Sequence, residues 1–386
     1  MMTQYSRAFK SGDEVHINRL YHMVTGIMRS PGEYAWEWLK TWKGPGSIWF
    51  VFDDSRKADD QLIAQYSLIP IPFSFWGKPY LAGKTENCMS HPDFRGKGLY
   101  FFHEKEYFEV AKEQFQLFFT TAGDVAKGAP GKVRMKLGYK AFDYWVTLSY
   151  WLDKTELLNE IDTKLPAIIK SRAWLGNSIK SILGNLIYWY TRTGIDISNT
   201  DIKIHSEANA PLQQIEKLWQ DNAELYGISV DRSVEYMKWR INDNPYVTHH
   251  YLCYYDGGVL KGYVIYTIQD KTIHIVDILA GNKEELIFKI MLEGLKTEGR
   301  KLALSQIKCY TASQNQFLVE VLGSSKLINY TGLFSRKNAP KNKPATQIFV
   351  YISDELKADH DVWDNNSWYI TDLIKEGRPY TARPIE

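Results

Sequence analysis

Along the chain the hydrophobic pattern changes period in a definite order. Phe9 falls in a short strand, a helix follows Gly12, and short runs at 48–52, 62–69 and 81–89 predict further strands. The segment 99–112 has no Gly or Pro and mixes Glu, Lys and aromatics, which predicts a helix, and the apolar run 115–120 suits a buried strand. This order of strands and helices predicts an α/β (α+β) fold with a mixed, mostly antiparallel twisted sheet and helices on its faces.

The second half repeats that order. Strands are expected at 251–255, 259–268 and 273–279. Glu33-Tyr34, Trp38 and Pro45 are answered by Glu235-Tyr236, Trp239 and Pro245, and Leu137-Gly138 by Leu322-Gly323. We read this as a duplicated fold. At 386 residues two domains are the default. The division expected is 1–153, a connector at 154–200, a second domain at 201–353, and a tail at 354–386 whose Trp368-Tyr369 packs back across the junction.

Within the connector, 165–192 carries Lys170, Arg172, Lys180 and Arg192 and no acidic residue, while Leu175, Ile179, Ile182, Leu186 and Tyr190 fall on one helical stripe. Two readings stay open. The stripe packs between the domains, which Gly176 and Gly184 favour, or a basic amphipathic helix lies on an anionic membrane surface.

Composition narrows the chemistry. Lys plus Arg number 47 against 45 Asp plus Glu, so no positive field gathers nucleic acid, and no DNA or RNA partner is expected. Cys88, Cys253 and Cys309 are far apart, which indicates neither a disulfide framework nor a zinc site, and no metal is expected. The first ten residues lack a signal-peptide core and no stretch is long enough to span a membrane, so a cytoplasmic location is expected. Aromatics at 14% are compatible with an aromatic-walled cleft for a small molecule.

The informative motif is Arg95-Gly96-Lys97-Gly98, placed after a strand and at the start of a helix. A helix N-terminus presents unpaired N–H groups and partial positive charge, glycines let the backbone approach a pyrophosphate, and Arg95 and Lys97 add charge-assisted contacts. The spacing matches neither a Walker loop nor G-x-G-x-x-G.

The run from His91 to Gly98, followed by helix, strand, helix and Lys136-Leu137-Gly138-Tyr139, resembles the GNAT N-acetyltransferase superfamily, and the whole chain resembles its bacterial tandem members. The resemblance implies acetyl-CoA, or another acyl-CoA, as cosubstrate. Backbone groups of Cys88, Met89 and Ser90 would hold its pantetheine arm, and Arg95, Gly96, Lys97, Gly98, Leu99 and Tyr100 its diphosphate. Tyr100 stands where the family has a small residue, and Arg134 where many members have the tyrosine that protonates the leaving thiolate; its guanidinium could stabilise that charge instead.

A base must deprotonate the amine, and Glu86, on the strand entering the motif, is the leading candidate, with Asp124 a weaker one. Tyr34, Trp38 and Tyr66, with Trp36 and Phe75, are candidate acceptor contacts. His103 reads as a packing residue. After its matching strand the second half has Ala280-Gly281-Asn282-Lys283-Glu284-Glu285, whose carboxylates would repel a diphosphate, so only the first half is expected to bind the cofactor. The expected activity is acyl transfer to a primary amine of a small molecule, such as an amino sugar. A catalytically silent acyl-CoA-binding or scaffold protein, and an aminoacyl-tRNA-dependent peptidyl-type transferase, are the alternatives.

Overall fold

In the computed structural model the described residues are 4–123, 129–164, 173–329, 346–357 and 361–380. Twelve strands form the main path of one sheet: β1 Gln4–Ala8, β2 Ser47–Asp53, β3 Leu62–Phe75, β4 Lys78–Thr85, β5 Leu117–Gly123, β6 Lys140–Trp151, β7 Asp201–Ser206, β8 His249–Asp256, β9 Val259–Gln269, β10 Thr272–Ala280, β11 Gln306–Ala312 and β12 Thr346–Ile352. Their spatial order is β1-β2-β3-β4-β5-β12-β6-β11-β10-β9-β8-β7. The mixed α/β fold expected from the pattern is the fold observed. Most pairs are antiparallel, and β4 with β5 and β10 with β11 are parallel.

The halves complete each other. β12, from far along the chain, lies between β5 and β6, while β6 spans the junction: its residues from Lys140 to Tyr144 pair with β12, and those from Trp145 to Trp151 pair with β11. Asp143 fixes the crossover by accepting the Gln314 N–H at 2.8 Å and the Ser313 hydroxyl.

β3 runs to Phe75, beyond the expected 62–69, despite Pro70 and Pro72. β2 has already ended opposite Leu68, so these prolines lie past the ladder in which their missing N–H groups would be needed. β4 is not continuous to Met89, as the sequence suggested. It stops at Thr85, Asn87 takes a left-handed φ of 50°, and a two-residue strand, Met89–Ser90, resumes against β3 with one residue inserted. This is a β-bulge, which re-aims the strand.

The internal repeat is visible but in a shifted register. Ser30 and Ser233 precede equivalent short helices, each running into a π-helical turn, Ala35–Leu39 and Lys238–Asn242. Counting from those serines, Trp36 rather than Trp38 corresponds to Trp239. The two indoles stack at 5.4 Å, and each donates its N–H to the other's backbone carbonyl, at 2.8 and 3.0 Å. They join the halves.

The connector helix Ala173–Thr191 packs on Lys154–Lys164, and the same cluster includes Trp151 of the first half and Ile328 of the second. Ile179, Leu183 and Ile187 meet Trp151, Leu157 and Ile161, and Gly184 permits close approach to Leu158. Ile182, Leu186 and Tyr190 of the expected stripe stay exposed. Lys170 and Arg172 lie outside the described residues. No described helix is long and apolar enough to cross a membrane.

Candidate functional site

In each half a parallel pair of strands stops pairing partway along, and the gap in the ladder beyond the last pair is referred to as its opening. In the first half β4 and β5 stay paired through Lys84↔Phe119. The bulge follows at once: Glu86 donates its N–H to Ser67 at 3.1 Å and accepts the Ser67 hydroxyl on its carbonyl at 2.7 Å, and Asn87 turns the chain. Met89 and Ser90 then pair with β3 alone, leaving their other edge toward the opening. Cys88, half-buried, sits on the bulge.

His91 fixes the loop beyond. Its N–H reaches Ile63 at 2.8 Å, and its ring accepts from Asp93 N–H and meets Asp60. Gly96 and Gly98 both adopt left-handed φ, 75° and 78°, with no crowding backbone nearby, so conformation is what requires glycine here. Gly98 caps the helix Leu99–Ala111 without a side-chain acceptor. The N–H groups of Phe101 and Phe102 turn back to Gly98, and those of Leu99 and Tyr100 belong to the first turn, which has no intrahelical acceptor. Arg95 and Lys97 are exposed beside it. Tyr100's side chain and Asp124 lie outside the described residues.

Glu86 lies in a cluster that sequence reasoning missed. Lys84, buried beneath it, pairs with Glu86 and, at 3.2 Å, with Glu376 from the tail. Two residues on, Arg378 reaches Glu37, Asn87 and Tyr21, and Glu37 also holds the buried Arg29 at 2.9 Å. Burial raises the proton affinity of Glu86, Glu376 adds to this, and Lys84 and Arg378 oppose it. Lys84 is held protonated by the two carboxylates against the cost of its burial. Nothing local in the sequence links position 376 to position 84.

Other candidates are relocated. Arg134 is buried in an ion pair with the fully buried Glu104, so its charge is neutralised where the helices Ala129–Lys136 and Leu99–Ala111 meet. The same guanidinium lies 6.0 Å from the Tyr66 ring and 5.7 Å from the Tyr139 ring. Tyr34, Trp38 and Tyr66 are at most 1% exposed, and Trp36 and Phe75 are also buried; these are packing residues with no surface to offer an acceptor. Tyr66 and Tyr139 both point their hydroxyls at Thr85, each at 3.5 Å, at the foot of the opening. His103 is a packing residue, facing the Trp49 carbonyl at 3.2 Å.

The second opening is filled. β10 and β11 part after Ile275↔Cys309, and a register shift opposite Ile265 and Tyr266 inserts one residue, as in the first half. The tail lies in the wedge: Tyr369 donates to the Ile278 carbonyl at 2.5 Å, Ile370 accepts from Thr311 at 2.7 Å, and Thr371 donates to Asp277 at 2.7 Å. At the following turn, Asn222 takes the Asn282 N–H and Lys283 folds against Tyr226 and Phe317. Two hollows of about 360 and 590 Å³ lie on the second half; neither is lined by Glu86 or the Arg95 loop.

No protein-family model and no curated protein matches the sequence. Solved structures do. A conserved protein of unknown function from Enterococcus faecalis V583, whose name continues "Probable N-Acyltransferase", aligns at a TM-score of 0.59 and 15% identity over 91% of this chain and 73% of its own. A GCN5-related N-acetyltransferase from Kribbella flavida aligns at 0.54 and 10% identity, covering 91% and 71%. A tandem GNAT protein from the clavulanic acid biosynthesis pathway aligns at 0.51 and 10% identity, covering 90% of this chain and 98% of its own. At such identities the likeness is one of fold, and the fold of this chain is that of the tandem GNAT proteins.

Proposed function

We propose that the chain is an acyl-CoA-dependent N-acyltransferase that works in its first opening, with acetyl-CoA as the simplest donor and a small-molecule primary amine as acceptor. The observation that carries this is the coincidence of three features at one place: a parted strand pair, a glycine loop with uncapped helix N–H groups, and an acid, Glu86, between them. The donor set fits the group it would hold, since first-turn amides, Arg95 and Lys97 suit a diphosphate.

The donor supplies an activated acyl carbonyl. On the protein's side, an amine must lose a proton as it attacks, and Glu86 is assigned to accept it. Its proton affinity, raised by burial and by Glu376, favours accepting a proton. Lys84 beneath it holds the carboxylate in place. Met89 and Ser90 would offer backbone groups to the pantetheine arm.

The test is release of CoA thiol from acetyl-CoA across a panel of amines. Replacing Glu86 by Gln keeps the contact with Lys84 but removes the base, and should lower turnover by about 10²–10⁴-fold with little change in CoA affinity. Unchanged turnover would remove Glu86 from the role. The neutralised Arg134 favours a second reading, a silent acyl-CoA binder; CoA binding by calorimetry with no thiol release from any amine would establish it instead.

A further inference from the structure

The tail between Asp372 and Tyr380 is anchored by its backbone on one half and sends side chains into the other. Buried Arg240, from the second half, donates to the Lys375 carbonyl at 2.7 Å, and Asn244 donates to the Gly377 carbonyl at 2.9 Å. Further along, the Tyr380 N–H reaches Gln269 at 2.9 Å, and its ring stacks on His274 at 4.0 Å. Gly377 turns the chain with a φ of 77°, and a side chain there would strike Arg240 and Asn244, so only glycine fits the turn.

Between these anchors two side chains cross over. Glu376 meets Lys84 at 3.2 Å, while Arg378 donates to Glu37 and Tyr21, each at 2.5 Å, and to Asn87 at 3.2 Å. Lys84, only 2% exposed, is therefore held between two carboxylates, Glu86 just past its own strand and Glu376 from the tail. Two acids that share one cation also repel each other. One of them stands at the opening.

We propose that Glu376 is a positioning residue for acyl transfer: by sharing Lys84 with Glu86 it governs the carboxylate that takes the amine's proton, and the second half, through Arg240 and Asn244, sets where Glu376 stands. This rests on the acyl-transfer reading with Glu86 as its base. The charged and titratable groups that face Glu86 are Lys84 below it, Glu376 and Arg378 on the tail, and the Tyr21 hydroxyl on the helix Glu14–Thr25. Glu376 favours the proton on Glu86, whereas Lys84 and Arg378 disfavour it. Neutralising Glu376 weakens the base.

The experiment follows the Glu86 carboxyl by carbon-13 NMR of the glutamate-labelled full chain, its signal identified by its loss in Glu86→Gln, beside the pH dependence of thiol release from acetyl-CoA. In Glu376→Gln the Glu86 midpoint and the acid limb of kcat/KM should both move to lower pH, and turnover above that limb should fall by about two- to tenfold, while CoA affinity holds. Glu376→Asp keeps the charge and should stay closer to the parent. Asn244→Ala, which frees the Gly377 carbonyl, should move midpoint and limb the same way by less, and it decides the matter if Glu376→Gln does not fold. A Glu86 midpoint unmoved in these variants overturns the proposal, as does a midpoint that moves while the acid limb does not. The acyl-transfer reading fails separately, by full turnover in Glu86→Gln.

Discussion

Glu86 and Asp277 occupy matching places, each two residues past the last paired residue of its parted strand, yet their surroundings are opposite. Asp277 is fully buried; Arg232 grips it with two bonds of 3.0 Å, Tyr263 donates at 2.7 Å, and Thr371 of the tail closes the remaining side. Glu86 keeps 18% of its side chain exposed and shares one lysine with Glu376. An acid two residues past the last pair is buried and fully bonded in one half and partly exposed in the other. The tail makes the difference: residues 369–371 fill the second wedge, and residues 376–378 only border the first.

The largest effect should come from breaking this contrast at Asp277. Asp277→Ala leaves Arg232 buried without a counter-charge and should cost about 3–5 kcal/mol of stability by chemical denaturation. Glu86→Ala should cost much less, because Lys84 retains Glu376 and water reaches the site. Equal losses would mean that both acids are structural.

Histidines extend the comparison to pH. His103, in the first half, is pushed down to about 4 by burial, with a backbone carbonyl as its partner. His249, in the second, is also lowered by burial, but Glu207 at 3.1 Å pulls the other way. For His103 the folded value lies below the unfolded 6.5, so between these values the unfolded chain binds the extra proton. Stability present above pH 6.5 should therefore fall as the pH drops toward 4, by about 3 kcal/mol from this group. A His103→Gln protein, compared with the parent by denaturant titration across that window, should show a flatter dependence.

What the sequence revealed follows from what was local. The order of strands and helices, the duplication and the Arg95-Gly96-Lys97-Gly98 turn depend on neighbours within a few residues, and each is present in the structure. The register of the repeat slipped because Tyr34 and Tyr236 resemble each other in letters, whereas the caps at Ser30 and Ser233 align Trp36 with Trp239. The exchange of β12 and β6, the tail in the second wedge and the pairing of Lys84 with Glu376 join positions far apart, and no periodicity records such contacts. The partner of Arg134 was hidden for the same reason, since Glu104 sits on another helix. Aromatic content pointed to a cleft wall, but large rings fill a core as readily, and Tyr34, Trp38 and Tyr66 do that.

The smallest effect sharpens the comparison at the two turns. Arg95 and Lys97 stand exposed beside uncapped amides, Lys97 over the Phe94 ring, whereas Lys283, at the corresponding turn, is half-buried against Tyr226 and Phe317. Replacing Arg95 and Lys97 by Ala should weaken CoA binding by about 1.5–3 kcal/mol, the range for hydrogen bonds to charged groups, while Lys283→Ala should leave it unchanged. Calorimetry with CoA reads both. Because bound ligand raises the melting temperature only where it meets the native fold, the thermal shift with CoA should shrink in the first variant and persist in the second. A loss of affinity on Lys283→Ala would put the cofactor in the filled wedge and reverse the assignment of the two halves.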